Sequence, residues 1–140
     1  MNNTRLKSVL LVDDDPTTNV LNKHFLKKLI PSLEVDAVVN GHRALDYIEA
    51  HIDEIETGAF LLILDIEMPI MDGWQFLQAF DILFREEEKE KIIIAVLTAN
   101  GTEEVVYRAL SHPQVKECLH KPLSDINFRK VIENLFLSNI

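Results

Sequence analysis

This sequence predicts a (βα)₅ fold, an α/β architecture in which a five-stranded parallel sheet is wound on both faces by helices. Three observations predict it. Five strand-length apolar runs punctuate the chain, segments of helical period lie between them, and the connections are short. At 140 residues the chain is long enough for one domain with a real core, so a single domain over residues 1–140 is expected.

The first run, Val9 to Val12, is apolar throughout, as suits a strand covered on both faces. Asp15-Pro16 then reads as a helix N-cap followed by proline at the first helical position. Leu21, Phe25 and Leu29, with Leu26 and Ile30 beside them, give the first helix its stripe. The second run, Val35 to Val39, is mixed, as edge strands tend to be. Leu45, Ile48, Ile52 and Ile55 form the next helical stripe, and Gly58 is expected to stop that helix. The third run, Phe60 to Leu64, is again wholly apolar. Leu77, Phe80 and Phe84 mark a third helix expected to run out into Arg85 to Lys91, with Glu86 to Lys91 as its solvated end. The fourth run, Ile92 to Leu97, is apolar. A short helix starts near Thr102 and must end before Pro113. The fifth run, Val115 to Leu119, is mixed. The last helix carries Phe128, Val131, Ile132, Leu135 and Phe136, capped by Ser124.

Composition narrows the function. A formal net charge of -9 argues against a nucleic-acid surface, which needs clustered Lys and Arg. No run reaches the roughly 18 apolar residues of a membrane span, and the N-terminus lacks the apolar stretch of a signal peptide. Cytoplasmic residence is the resulting expectation. The one cysteine, Cys118, has no partner thiol for an internal disulfide and reads as a small apolar residue. The five histidines show no metal-ligand spacing.

The residues fit for chemistry stand at the end of the apolar runs. Asp13, Asp14 and Asp15 come after the first, Asp65 and then Glu67 after the third, Thr98 after the fourth and Lys121 after the fifth. In a parallel sheet all of these reach the same rim, where ligands bind in such folds. Two unit charges about 4 Å apart repel by roughly 4 kcal/mol at an effective dielectric of about 20. Clustered carboxylates therefore call for a cation, and oxygen ligands without His or Cys suit a hard ion such as Mg²⁺. A carboxylate can attack phosphorus to give an aspartyl phosphate. A metal, an ammonium and a hydroxyl would then share the charge on the phosphoryl oxygens. Asp65, alone at the end of the central strand, is the best nucleophile candidate, with Lys121 and Thr98 as its partners.

The segments LLVDDDP at 10–16, LDIEMPIMDGW at 64–74, VLTAN at 96–100 and HKPL at 120–123 together resemble the response-regulator receiver family of two-component signalling, over essentially the whole chain. Each motif alone is weak; four in order, each at an expected strand end, are specific. The resemblance implies the flavodoxin-like strand order 2-1-3-4-5 and a stand-alone, phospho-accepting signalling domain that is not a turnover enzyme. It further implies that Asp65 accepts a phosphoryl group from a sensor histidine kinase or a histidine phosphotransfer protein. Asp13 and Asp14 would hold Mg²⁺ together with Asp65 and the main-chain carbonyl of Glu67. Lys121 would pair with the phosphoryl group and Thr98 would swing to hydrogen-bond it, shifting the face of the fourth helix, fifth strand and fifth helix. That face would engage a downstream protein partner, or the phosphate would be relayed onward, by a monomer or a phosphorylation-dependent dimer. The Lys121–Pro122 bond resembles the family's cis peptide.

The sequence also departs from the family. The usual aromatic three residues before the lysine is Cys118, which puts the ring half of the switch in question. Glu67 and Asn100 occupy positions that influence dephosphorylation in such proteins and are expected to set the phosphate lifetime. Three rival readings are weaker. A haloacid-dehalogenase-type phosphohydrolase would use Asp13 and Asp15 as its D-x-D pair, but Pro16 and a helix come at once. An interaction module without phosphorylation would not need all of Asp13, Asp14, Asp65, Thr98 and Lys121. A flavodoxin-like cofactor binder would set Asp13 to Asp15 against a phosphate.

Overall fold

The computed structural model describes residues 4–136, so the expected domain limits at 1 and 140 lie outside the described residues. The strands are β1 (Ser8–Val12), β2 (Glu34–Val38), β3 (Phe60–Asp65), β4 (Ile92–Thr98) and β5 (Val115–His120). The helices are α1 (Pro16–Leu29), α2 (Gly41–His51), α3 (Gly73–Leu83), the short α4 (Glu86–Lys89), α5 (Glu103–Leu110) and α6 (Asp125–Leu135). All strand pairs are parallel and the sheet order is β2-β1-β3-β4-β5. β3 and β4 are buried along their whole length, whereas the edge strands β2 and β5 are only partly covered, as their mixed sequences predict.

Because strand side chains alternate between faces, the central strands feed two separate cores. Leu10, Val12, Leu62, Leu64, Ile94 and Val96 pack with Ile48 of α2, Phe76 and Phe80 of α3 and Ala109 of α5. Val9, Leu11, Leu61, Ile63, Ala95 and Leu97 pack with Leu26 of α1 and with Phe128, Val131 and Ile132 of α6. Both faces of the sheet are thus closed, and the strand ends are left as the place for a site.

Asp15 and Ser124 cap their helices as the sequence predicts, Thr102 caps the helix expected to start near it, and the caps of α2 and α3 come from Asn40 and Asp72, which are not among the expected caps. The Asp15 side chain accepts from the Thr17 amide, Thr102 from the Val105 amide and Ser124 from the Asn127 amide. Asp72 and Gln75 cap α3 reciprocally.

Three helical expectations need correction. α2 stops at His51, well before Gly58, although Ile52 remains buried as expected. Turns come next, and Gly58 has φ 83 in the bend entering β3. α3 does not run into the charged stretch. Phe84 ends it in an extended conformation, and Glu86–Lys89 forms a helical turn of its own, with Glu88 accepting from the Arg85 amide. Lys89 in that stretch is buried, its ammonium 2.8 Å from Glu86, so the run is not simply a solvated end. On α1, Leu21 is 52% exposed, and the buried positions are Asn19, Asn22 and Leu26. The face is turned by Asn19, whose side-chain N–H donates to the main-chain carbonyls of Asp13 at 3.0 Å and Val38 at 3.3 Å.

Candidate functional site

Parallel register carries the rim residues to one place. Val12 pairs with Leu64, Asp65 with Leu97 and Thr98 with His120. Asp13 and Asp14 thus emerge beside Asp65, and Lys121 emerges beyond Thr98, its amide donating to the Thr98 carbonyl at 2.9 Å. The approach of α3 to this rim depends on Gly73. A Cβ there would lie 2.8 Å from the Ile66 Cα and 3.1 Å from the Asp65 carbonyl oxygen.

Asp13, Asp14 and Asp65 each offer a carboxylate oxygen within 4.8 Å of the others. Asp65 is 0% exposed; Asp13 is also buried, while Asp14 faces solvent. Lys121 Nζ lies 2.9 Å from Asp65 Oδ1 and 4.0 Å from Asp13 Oδ2. The Glu67 amide donates to Asp65 Oδ1 at 3.1 Å, and the Asp15 amide donates to Asp13 Oδ1 at 2.9 Å. One oxygen of each buried acid is therefore engaged. The other, Oδ2 of both Asp13 and Asp65, has no hydrogen-bond donor among the described residues.

Burial dominates the titration of these acids. It pushes Asp65 up to about 6, against the hydrogen bond and charge of Lys121 and with the help of the Asp13 charge. It raises Asp13 as well, opposed by the Asp15 amide and Lys121. Burial pulls Lys121 the other way, but its hydrogen bond to Asp65 and the charges of Asp65, Asp13 and Glu67 hold it above its ordinary value. Two buried carboxylates and one ammonium leave negative charge in excess. Orphaned carboxylate oxygens, an all-oxygen donor set and uncompensated charge fit a hard divalent cation such as Mg²⁺.

Thr98 is 1% exposed and at the rim, but its hydroxyl is turned to Glu67. Thr98 Oγ1 lies 3.1 Å from both Glu67 carboxylate oxygens, and the Ala99 amide donates to Glu67 Oε1 at 2.6 Å. The Glu67 side chain thus leaves the acid cluster to the three aspartates. Asn100 contributes its amide, which donates to Thr98 Oγ1 at 3.0 Å. Cys118 is half-buried against the α2–α3 core. The Lys121–Pro122 bond is cis. Trp74 packs on the same core, with the Arg108 guanidinium 4.1 Å over its ring.

Two contributors went unread in the sequence. Asn19 holds the Asp13 carbonyl from within the helix; its only signal was a polar residue on the face a helix must bury. The Ala99 amide carries no side-chain signal at all. A groove of about 610 Å³ lined by Lys7, Tyr47, His51 and Glu56 lies at the opposite end of the strands and takes no part in the site.

A five-stranded parallel α/β sheet with an acid cluster, a hydroxyl and an ammonium on its carboxyl rim defines the class, and comparison with known proteins gives the family. The response regulator receiver domain matches residues 9–133, and the chain belongs to that family of two-component systems. It is 36% identical over 115 residues to the protein-glutamate methylesterase/protein-glutamine glutaminase 1 of Rhodospirillum rubrum, an alignment covering 81% of this chain and 27% of that relative. Among solved structures it is similar to a two-component response regulator from Cytophaga hutchinsonii. The TM-score is 0.82 at 24% identity, covering 94% of this chain and 97% of the other. It is also similar to a chain of the CheX-CheY-BeF3-Mg+2 complex from Borrelia burgdorferi, with a TM-score of 0.75 at 22% identity over 91% and 87% of the two chains. At these identities the solved structures speak for the fold, which they share. No helix among the described residues is long and apolar enough to cross a membrane.

Proposed function

We propose that Asp65 accepts a phosphoryl group from a phosphohistidine of a sensor histidine kinase or a histidine phosphotransfer protein. The carrying observation is the divided environment of Asp65. Its Oδ1 is held by Lys121 and the Glu67 amide, its buried Oδ2 has no hydrogen-bond donor among the described residues, and one of its carboxylate oxygens lies within 4.8 Å of oxygens of Asp13 and Asp14. An Asp65 carboxylate oxygen attacks phosphorus, the P–N bond breaks, and the donor imidazole leaves with the electron pair. Asp13, Asp14, Asp65 and the Glu67 main-chain carbonyl would hold Mg²⁺, whose contribution is to offset charge on carboxylates and phosphoryl oxygens. Lys121 already points at Asp65 and would meet one phosphoryl oxygen. Thr98, on the neighbouring strand, would meet another.

The phosphoryl group adds a charge of nearly -2 at Asp65. The state in which Thr98 and Lys121 close on it is then favoured, and residues 98–102 join Thr98 directly to α5. Output to a protein partner is assigned to the expected face of fourth helix, fifth strand and fifth helix, which the short extra helix α4 makes α5, β5 and α6 here, through a switch without an aromatic at Cys118. The phosphohydrolase reading loses ground on one observation. Asp15, the second acid its D-x-D pair requires, is spent on capping α1 through Thr17 and Thr18.

The test is labelling by acetyl phosphate. Wild type is expected to be labelled only with Mg²⁺ present, and Asp65→Asn not at all. Lys121→Ala should retain some labelling but lose the response of the α5–β5–α6 face. Undiminished labelling of the Asn variant would refute the assignment.

A further inference from the structure

The carboxylate of Glu67 sits on the donors that an anion at this rim would need. A hydroxyl has a single proton. That of Thr98 has two acceptors in reach, Glu67 at 3.1 Å and the Asn100 carbonyl at 3.2 Å, and the charged one is the stronger. The Asn100 amide donates into a lone pair of the same hydroxyl, orienting it. The Ala99 amide is committed to Glu67 as well, at 2.6 Å. Two of the donors at the tip of β4, the Thr98 hydroxyl and the Ala99 amide, are therefore engaged by one anion from 31 residues before Thr98 in the chain. Its own amide is meanwhile fixed on Asp65 Oδ1, so the Glu67 backbone is anchored at the acceptor while its side chain reaches across to β4.

We infer that Glu67 is an internal competitor for the phosphoryl seat: its carboxylate occupies Thr98 Oγ1 and the Ala99 amide, and it must swing out before a phosphoryl group on Asp65 can use them. This rests on Asp65 being the acceptor. A singly charged carboxylate and a phosphoryl group of nearly -2 repel and cannot share one hydroxyl proton. Glu67 is exposed at the surface, so it has water to move into. The cost of that departure is subtracted from the affinity for any phosphoryl-like anion and leaves the affinity for the metal almost untouched. Glu67 thus limits how readily the site fills, in addition to its expected influence on phosphate lifetime.

The experiment uses the full chain with Mg²⁺ and beryllofluoride as the phosphoryl analogue, comparing wild type, Glu67→Ala and the near-isosteric Glu67→Gln. Both substitutions are expected to tighten beryllofluoride binding by about tenfold, the scale of charge-assisted hydrogen bonds near a surface. Mg²⁺ affinity alone should stay within about twofold. In a Thr98→Ala background, where half the seat is gone, the gain from Glu67→Ala should shrink. The Ala99 amide proton provides a readout independent of the acceptor reaction. It should resonate downfield in the free wild type, shift upfield in Glu67→Ala, and lose its bond to Glu67 when beryllofluoride binds. Wild-type binding that is unimproved in both variants overturns the competitor and leaves the Asp65 assignment standing. Weaker Mg²⁺ binding with unimproved anion binding makes Glu67 a metal-site residue instead. Absence of beryllofluoride binding in every variant overturns both readings. Binding by Glu67→Ala but not by wild type supports the competitor in its strongest form.

Discussion

Neutralising the central acid is expected to stabilise the metal-free protein, and the structure gives the size of the effect. Asp65 is fully buried, and burial raises its pKa to about 6 from 3.8. The folded chain therefore holds a proton there more tightly than the unfolded chain does, and ionised Asp65 opposes folding. That opposition is absent below about pH 4, grows between about pH 4 and 6, and is complete above that. At 1.36 kcal/mol for each pKa unit, the upshift of about two units is worth about 3 kcal/mol at neutral pH. Asp65→Asn keeps the shape and an oxygen for Lys121 while removing the charge. Without divalent ions at pH 8 it should be more stable than wild type by about 3 kcal/mol, which is about 10 °C in melting temperature for a chain of this size. At pH 4 the two proteins should melt together. Mg²⁺ at about one hundred times its dissociation constant should return about 2.7 kcal/mol to wild type and little to the variant. Urea titrations from pH 4 to 8, with and without Mg²⁺, measure all of this. An Asn variant no more stable than wild type at pH 8, or a gap that persists at pH 4, would refute the reasoning.

Two further substitutions probe the same rim from other directions. Lys121→Ala removes the cation from two buried acids and should destabilise the metal-free chain at pH 8 by about 3–5 kcal/mol, the usual cost of breaking a buried pair; NMR titration should show the Asp65 pKa rising above its wild-type value. Gly73→Ala places a methyl within 2.8 Å of the Ile66 Cα, so α3 must move off the rim. It should lower the unfolding midpoint measurably and slow acetyl phosphate labelling.

The fold was legible in the residues because three strands, β1, β3 and β4, are buried on both sides and announce themselves as unbroken apolar runs. The rim was legible because a parallel sheet sends every strand end to one side, so Asp13, Asp65, Thr98 and Lys121 had only one place to meet. The strand order came from resemblance to a family, since no local pattern encodes which runs pair. Helix ends were less legible, for tertiary reasons. Ile52 and Ile55 keep the apolar period of α2 after the helix has ended, because turns also present them to the core. Phe84 leaves α3 in an extended conformation, and Glu88 starts a separate turn through the Arg85 amide. The face of α1 is set by Asn19 reaching two carbonyls at the sheet edge, which an apolar count passes over. The destination of the Glu67 side chain was illegible in principle, because it depends on a hydroxyl and an amide on the neighbouring strand.

Locating the phosphate after transfer from a phosphorylated histidine donor tests the central claim most directly. With Mg²⁺ present, borohydride reduction of the acyl phosphate and peptide mass spectrometry should find the modified residue at Asp65 alone, one per chain. A modification at Asp13 or Asp14, or transfer that continues unchanged in Asp65→Asn, would contradict it.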